Sequence, residues 1–192
     1  MKTFYICSYG GCGSKMLQES LNKYGRTQHV HSRKPPDKLE YIGDKLGSNN
    51  PGELFNGIPI PNNDIKNFYV IYIYRNPSYS IPSRFLNPLH LEHIQTNKNI
   101  KIQDVLNTEK DLYGINEFYN NYTEYNENRN YKIYSVKYEE IFDKQDELSE
   151  ILGIGKLNLV NKSNRKDSNK QLDKIYKDLI DKMNKNNFVV IN

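Results

Sequence analysis

The chain has 192 residues, with 27 Lys plus Arg against 23 Asp plus Glu and a formal net charge of +4. That length fits a single domain over residues 1–192, and the mild positive balance suits an anionic ligand while arguing against nucleic acid as a partner. Only 36% of the residues are hydrophobic, but 16 Tyr and 7 Phe supply the surface for a core, which excludes wholesale disorder.

Thr3 to Cys7 reads as a short buried strand, and Gly10, Gly11 and Gly13 follow it at once. Met16, Leu17, Leu21 and Tyr24 then recur at helical spacing, so a helix is expected over Ser14 to Tyr24. Gln28 to Ser32 reads as a second strand. Ser32 to Lys66 is rich in Gly, Pro and Asn and reads as a long functional loop or lid, with a short helix over Gly52 to Phe55. Asn67 to Tyr74 (NFYVIYIY) is the strongest strand, nearly continuous in β-formers as a central parallel strand should be. Asn76-Pro77 is a helix start. Helices are expected over Ile102 to Leu106 and Leu112 to Asn126, and a strand over Tyr131 to Tyr138. Further helices are expected over Glu147 to Leu152 and, as one amphipathic element, Lys170 to Met183. Strands alternating with helices imply an α/β fold with a central parallel sheet and right-handed crossovers.

Cys7 and Cys12 stand five residues apart, a spacing that matches neither a zinc pattern nor a disulfide framework. A reducing, cytoplasmic setting is the expectation. The apolar run near Met1 is too short for a signal peptide or a membrane span, and no later stretch reaches eighteen apolar residues, so no membrane partner is expected.

Two constellations carry chemistry. The first is Ser8-Tyr9-Gly10-Gly11-Cys12-Gly13-Ser14-Lys15. Glycines let backbone N–H groups close on a ligand, and the next helix adds its positive N-terminus, so the segment is either a phosphate site or an ordinary tight turn. It is no Walker A box, because Ser14 precedes Lys15 and Met16 follows. The second is Arg75-Asn76-Pro77 with Ser83 beyond it. A guanidinium at the carboxyl end of a central strand can grip a phosphate with two hydrogen bonds; alone, it could equally be a cap or an ion pair.

With these residues in view, the chain resembles the sulfotransferases that use 3′-phosphoadenosine 5′-phosphosulfate (PAPS). The family's phosphosulfate loop reads roughly TYPKSGTTWLQEIL, and Ser8 to Leu21 here reads SYGGCGSKMLQESL. Its 3′-phosphate motif reads roughly IYxxRNPKDxxxS, and Ile71 to Ser83 here reads IYIYRNPSYSIPS, with the same eight-residue interval from Arg75 to Ser83. A YEDL-like stretch and an FLG follow in the family; here they become Tyr138-Glu139-Glu140-Ile141 and Ile151-Leu152-Gly153-Ile154. The likeness covers most of the chain and fades over Asp37 to Lys66 and Asn87 to Asn130. It implies a three-layer α/β/α, P-loop sulfotransferase-like fold, PAPS or its product 3′-phosphoadenosine 5′-phosphate (PAP) as the bound nucleotide, and sulfuryl transfer to the hydroxyl of a small-molecule or carbohydrate acceptor.

Carried over residue by residue, the resemblance implies that the loop from Gly10 through Gly11, Cys12, Gly13, Ser14, Lys15 and Met16 holds the phosphosulfate end. Arg75 and Ser83 hold the 3′-phosphate. Tyr138 lies near the adenine, or is a core tyrosine at a strand end. Arg165 and Lys166 match loosely the family's late Arg-Lys-Gly element, with Asp167 in place of its glycine. The family's loop lysine falls at Gly11, leaving Lys15, four residues on, as the catalytic cation or as a solvated lysine. The acceptor's general base in cytosolic members is a His after the second strand, and His31, in His29-Val30-His31, aligns with it. His90 and His93 lack a visible third ligand and are read as solvated or packing residues, so no metal is expected. Two other readings stay open: a degenerate sulfotransferase-like module that binds nucleotide without turnover, and a P-loop phosphotransferase that needs Mg²⁺.

Overall fold

The computed structural model describes residues 1–35, 39–42, 45–48, 58–59, 65–162 and 168–192. The expected helix at Gly52 to Phe55 and the basic pair Arg165-Lys166 lie outside them.

The chain is α/β. It opens with β1 (Lys2–Cys7), α1 (Ser14–Leu21) and β2 (Gly25–Val30). Three short strands follow, β3 (Leu39–Ile42), β4 (Lys45–Ser48) and β5 (Ile58–Pro59), which pair antiparallel in a small sheet of their own. That stretch was expected to be mostly loop. Gly43-Asp44, the two residues between β3 and β4, is a hairpin signal that the abundance of Gly, Pro and Asn around it conceals.

Next come β6 (Phe68–Tyr74), α2 (Pro77–Arg84), α3 (Pro88–His93), α4 (Ile102–Thr108) and α5 (Ile115–Thr123). β7 (Ile133–Lys137), α6 (Gln145–Ile151), α7 (Lys170–Ile175), α8 (Lys177–Lys185) and β8 (Val189–Ile191) complete the chain. The expected single helix over Lys170 to Met183 breaks at Tyr176, whose backbone (φ −100°, ψ 17°) ends α7 and begins α8. The Tyr176 hydroxyl donates to Asp111 Oδ1 at 2.7 Å, which holds the residue against another part of the chain.

The main sheet has five strands in the order β2-β1-β6-β7-β8. The first four are parallel and β8 is antiparallel. β8 was not expected, and its direction follows from its entry. The Lys137 N–H donates to the Phe188 carbonyl at 3.0 Å, so the chain re-enters beside the end by which β7 leaves. α1 packs on β1 and β2, and α5 on β7. Leu17 and Leu21 of α1 are wholly buried, as are Val70 to Tyr74 of β6. Each such aliphatic side chain stabilises the fold by about 1.5–3 kcal/mol. Aromatics complete the core: Tyr72 stacks on Tyr122 at 4.6 Å between ring centroids, with Phe118 and Tyr9 against them. Among the described residues, no helix is long and apolar enough to cross a membrane.

β1 lies between β2 and β6, so the chain leaves β1 to one side and returns to the other. In open α/β sheets that reversal leaves a crevice at the carboxyl ends of the two strands, where ligands bind. The glycine loop follows β1 there, and Arg75 follows β6.

Candidate functional site

Three loop glycines take positive φ: +96° at Gly10, +69° at Gly11 and +78° at Gly13. Side-chain-bearing residues rarely adopt this backbone. The loop is tied from within. The Gly10 N–H donates to Ser8 Oγ at 3.1 Å, and the Cys12 thiol donates to the Gly10 carbonyl at 3.1 Å. Burial pushes that thiol's pKa well up, so it stays neutral. Gly13 caps α1 without a side-chain hydrogen bond, and the first helical bond runs from Leu17 N–H to Gly13 O at 3.1 Å. The helix therefore presents its first-turn N–H groups toward the crevice.

Arg75 is 8% exposed. Its guanidinium lies 4.3 Å from the Tyr138 ring centre and 5.5 Å from that of Tyr79, and Nη1 donates to the Gly11 carbonyl at 3.4 Å. Its backbone N–H donates to the buried Tyr9 hydroxyl at 3.0 Å, which ties the end of β6 to the loop. One residue on, the Asn76 N–H donates to Glu139 Oε1 at 2.8 Å, which ties it to the turn holding Tyr138. That turn is a single 3₁₀ turn, Tyr138–Glu140, directly after β7.

These groups surround a cavity of about 740 Å³, within the size range of small-ligand sites. Gly11, Gly13, Lys15, Met16, Arg75 and Tyr138 line it, so three segments far apart in sequence meet around one space. Its remaining walls are Glu19 and Ser20 of α1 and Asn158, Val160 and Lys162. Sequence reasoning missed these five. Glu19 and Ser20 sit one helical turn beyond Lys15 and Met16, a spacing that was legible; the segment 156–162 has no regular structure and gave no signal. The lining carries three cations, Lys15, Arg75 and Lys162, and one carboxylate, Glu19, so it favours an anion.

The other expected residues lie elsewhere. Cys12 is buried against Gly10, and Gly10 faces Arg84. Ser14 is buried, and its hydroxyl lies 2.9 Å from Ser8 Oγ and 2.8 Å from His29 Nε2. Ser83 does not line the cavity; its hydroxyl donates to the Ser80 carbonyl at 2.8 Å.

His31 lies outside the cavity, in a second polar cluster beside the loop. Its Nδ1 is 2.6 Å from the Ser8 carbonyl. A carbonyl only accepts, so Nδ1 carries the proton and Nε2 is the basic nitrogen. Arg84 Nη2 donates to that Nε2 at 3.3 Å. Burial, followed by the neighbouring positive groups, pushes the His31 pKa down to about 4, against the opposing pull of the Ser8 carbonyl. His29 is also shifted down, by burial first and then by Arg84 and Lys15. His93 stacks parallel to His31 at 6.2 Å, and His90 Nδ1 donates to the Arg84 carbonyl. Among the described residues, no group of three or more His, Cys, Asp or Glu is placed to hold a metal ion. Arg84 was missed in the sequence, although it stands four residues after Ser80 on a helix expected to start at Pro77. That spacing puts both on one face, and Ser80 and Arg84 are the residues that pack on Gly11 and Gly10.

Comparison with models of protein families, with curated proteins and with solved structures finds no match to this chain.

Proposed function

We propose that the chain is a PAPS-dependent sulfotransferase with a three-layer, P-loop-like α/β domain, acting on the hydroxyl of a small-molecule or carbohydrate acceptor. The observation that carries this reading is the meeting of Gly11, Gly13, Lys15, Met16, Arg75 and Tyr138 around one cavity at the switch point between β1 and β6. The cradle fits a flat, anionic ligand. A β-carbon on Gly13 would stand 2.7 Å from the Tyr138 ring, so the glycine keeps the space beside the ring open.

On this reading Arg75 holds the 3′-phosphate, pre-oriented between Tyr138 and Tyr79. The α1 N-terminus and the Lys15 ammonium balance charge at the phosphosulfate end. The donor, when bound, supplies a sulfuryl group on a phosphate leaving group. His31 Nε2 takes the acceptor's hydroxyl proton once the acceptor has displaced the Arg84 guanidinium from that lone pair, and the Ser8 carbonyl holds the ring in the tautomer this needs. The low proton affinity of His31 keeps Nε2 unprotonated at neutral pH and makes it a base for an oxygen already losing its proton.

The test is thermal unfolding with PAP, ATP–Mg²⁺ or 5′-AMP, on wild type and Arg75→Ala. A ligand at about 100 times its Kd stabilises by about 2.7 kcal/mol. A shift with PAP alone, abolished in Arg75→Ala, is expected. No response to PAP removes the reading, and a response to ATP–Mg²⁺ in its place moves the protein to phosphotransfer.

A second reading is nucleotide binding without turnover. Gly11 in place of the family's loop lysine, and Arg84 on the basic nitrogen of His31, both favour it. Incubation with PAPS and an acceptor set separates the two: release of PAP with labelled acceptor marks the enzyme, and tight binding alone marks the module.

A further inference from the structure

Arg84 carries a charge that no carboxylate among the described residues pairs with. It closes the last turn of α2, and its side chain lies across the glycine loop because Gly10 lets it. A β-carbon on Gly10 would stand 2.4 Å from Arg84 Nε. The guanidinium meets imidazoles: Nη2 is 3.3 Å from His31 Nε2 and 3.5 Å from His93 Nδ1. Nε is buried without a hydrogen-bond partner among the described residues. None of the ion pairs among the described residues includes Arg84. The acid that bears on its pKa is Cys12, itself neutral. Nε is covered by Gly10 and Nη2 is shared between two imidazoles, so among the described residues the guanidinium's charge meets only these rings, and its complement is an oxyanion approaching the Nη1–Nη2 edge. A cation in the last turn of a helix gains a little from the helix dipole, but that leaves the buried Nε unexplained.

We propose that Arg84, His31 and His93 form an oxyanion site of their own, beside the Arg75 cavity and outside its lining, for a sulfate-, phosphate- or carboxylate-type group. The site stands independently of the sulfotransferase reading. What rests on that reading is the source of the oxyanion: the group in transfer, or an anionic group already on the acceptor; with either, His31 serves as the base only in the fraction whose Nε2 is unprotonated.

The cluster also sets a signature. With Nδ1–H given to Ser8, an anion seated on Arg84 meets the lone pair of His31 Nε2, and it is held best when that nitrogen takes up a proton. Among the described residues, the groups placed against the imidazole are His29 from β2, Ser8 from the loop, Arg84 from α2 and His93 from α3; Ser14 and Lys15 of α1 bear on His29 behind it. None is an acid, so the proton is unwelcome until the anion arrives. Anion binding and His31 protonation are therefore coupled, and affinity rises as pH falls.

The experiment follows the His31 ring nitrogens of the full chain by NMR, titrating sodium sulfate against sodium chloride at matched ionic strength, at mildly acidic and mildly alkaline pH. A saturable response to sulfate alone is expected, tighter at acidic pH, with the His31 pKa raised. It should be lost in Arg84→Gln, partly kept in Arg84→Lys, and kept in Arg75→Ala and under saturating PAP. No saturable response in the wild type overturns the proposal, whether or not Arg84→Gln folds. So does a response unchanged in Arg84→Gln, or one that PAP abolishes, which assigns the anion to the nucleotide cavity. Displacement of sulfate by PAPS but not by PAP assigns the site to the group in transfer; sulfate bound together with PAPS assigns it to the acceptor. If PAP fails to bind while sulfate still titrates His31 through Arg84, the donor reading falls and the oxyanion site stands.

Discussion

A methyl group on Gly13 meets the Tyr138 ring at 2.7 Å, on a backbone with φ +78°. Strain and collision act together there, and Gly13→Ala should cost about 1–3 kcal/mol in urea unfolding. It should also weaken PAP binding, because Tyr138 and the loop must part to relieve the contact. Unchanged stability and affinity would show that the cradle is not tight. His31 gives a pH dependence of definite sign. Its folded pKa of about 4 lies below that of an unfolded imidazole, about 6.5. The unfolded state therefore binds more protons in between, and stability held in full above the higher value is lost as pH falls toward the lower. Each tenfold difference in proton affinity is worth about 1.4 kcal/mol. Urea unfolding from neutral pH to about pH 4 should show a steeper acid loss for wild type than for His31→Asn, while parallel curves contradict a buried neutral histidine. Anions must be kept out of that buffer, since an oxyanion on Arg84 offsets the loss.

Among the elements, α2 does most to assemble the site. Asn76 caps it, its Oδ1 accepting from Ser78 N–H at 2.8 Å, and Pro77 opens its first turn. The helix then lays Ser80 and Arg84 on the glycine loop. Asn76→Ala should destabilise by about 1 kcal/mol and loosen the loop, so that protection from hydrogen exchange falls at Gly10 to Ser14 as well as in α2. A loss confined to α2 would mean that the loop holds its shape alone. Ser83 illustrates the limit of motif transfer. The eight-residue interval from Arg75 survives, but Pro82 interrupts the ladder of backbone donors and the Ser83 hydroxyl bonds within its own helix. β1 and β6 were legible because buried parallel strands are near-continuous apolar runs, and β7 because Tyr131 to Tyr138 begins in strand alternation. β8 was not, since three residues at an edge carry too little pattern. The break at Tyr176 was hidden because apolar residues keep helical spacing across it, and the hydrogen bond to Asp111 joins residues far apart in sequence.

At the scale of the whole molecule, the strand order does what no motif can. It brings the end of β1 beside the end of β6, and β7 delivers Tyr138 to the same place. Glycine loop, Arg75 and Tyr138 were legible because each stands at the end of a strand that the sequence shows plainly. The Arg84–His31–His93 cluster was not, because it depends on how a helix, a loop and a strand end pack together. The same holds for the wall from Asn158 to Lys162, which lies where the chain has no periodicity to read. The result is a glycine loop with two arginines against it, Arg75 stacked on Tyr138 and Arg84 among histidines. The most direct measurement is a crystal structure of the full chain grown with PAP. The nucleotide is expected between Gly11 to Met16 and Tyr138, with its 3′-phosphate on the Arg75 guanidinium. Density for PAP at any other place, or crystals in which the cavity stays empty at saturating PAP, would contradict a nucleotide-binding role for this loop.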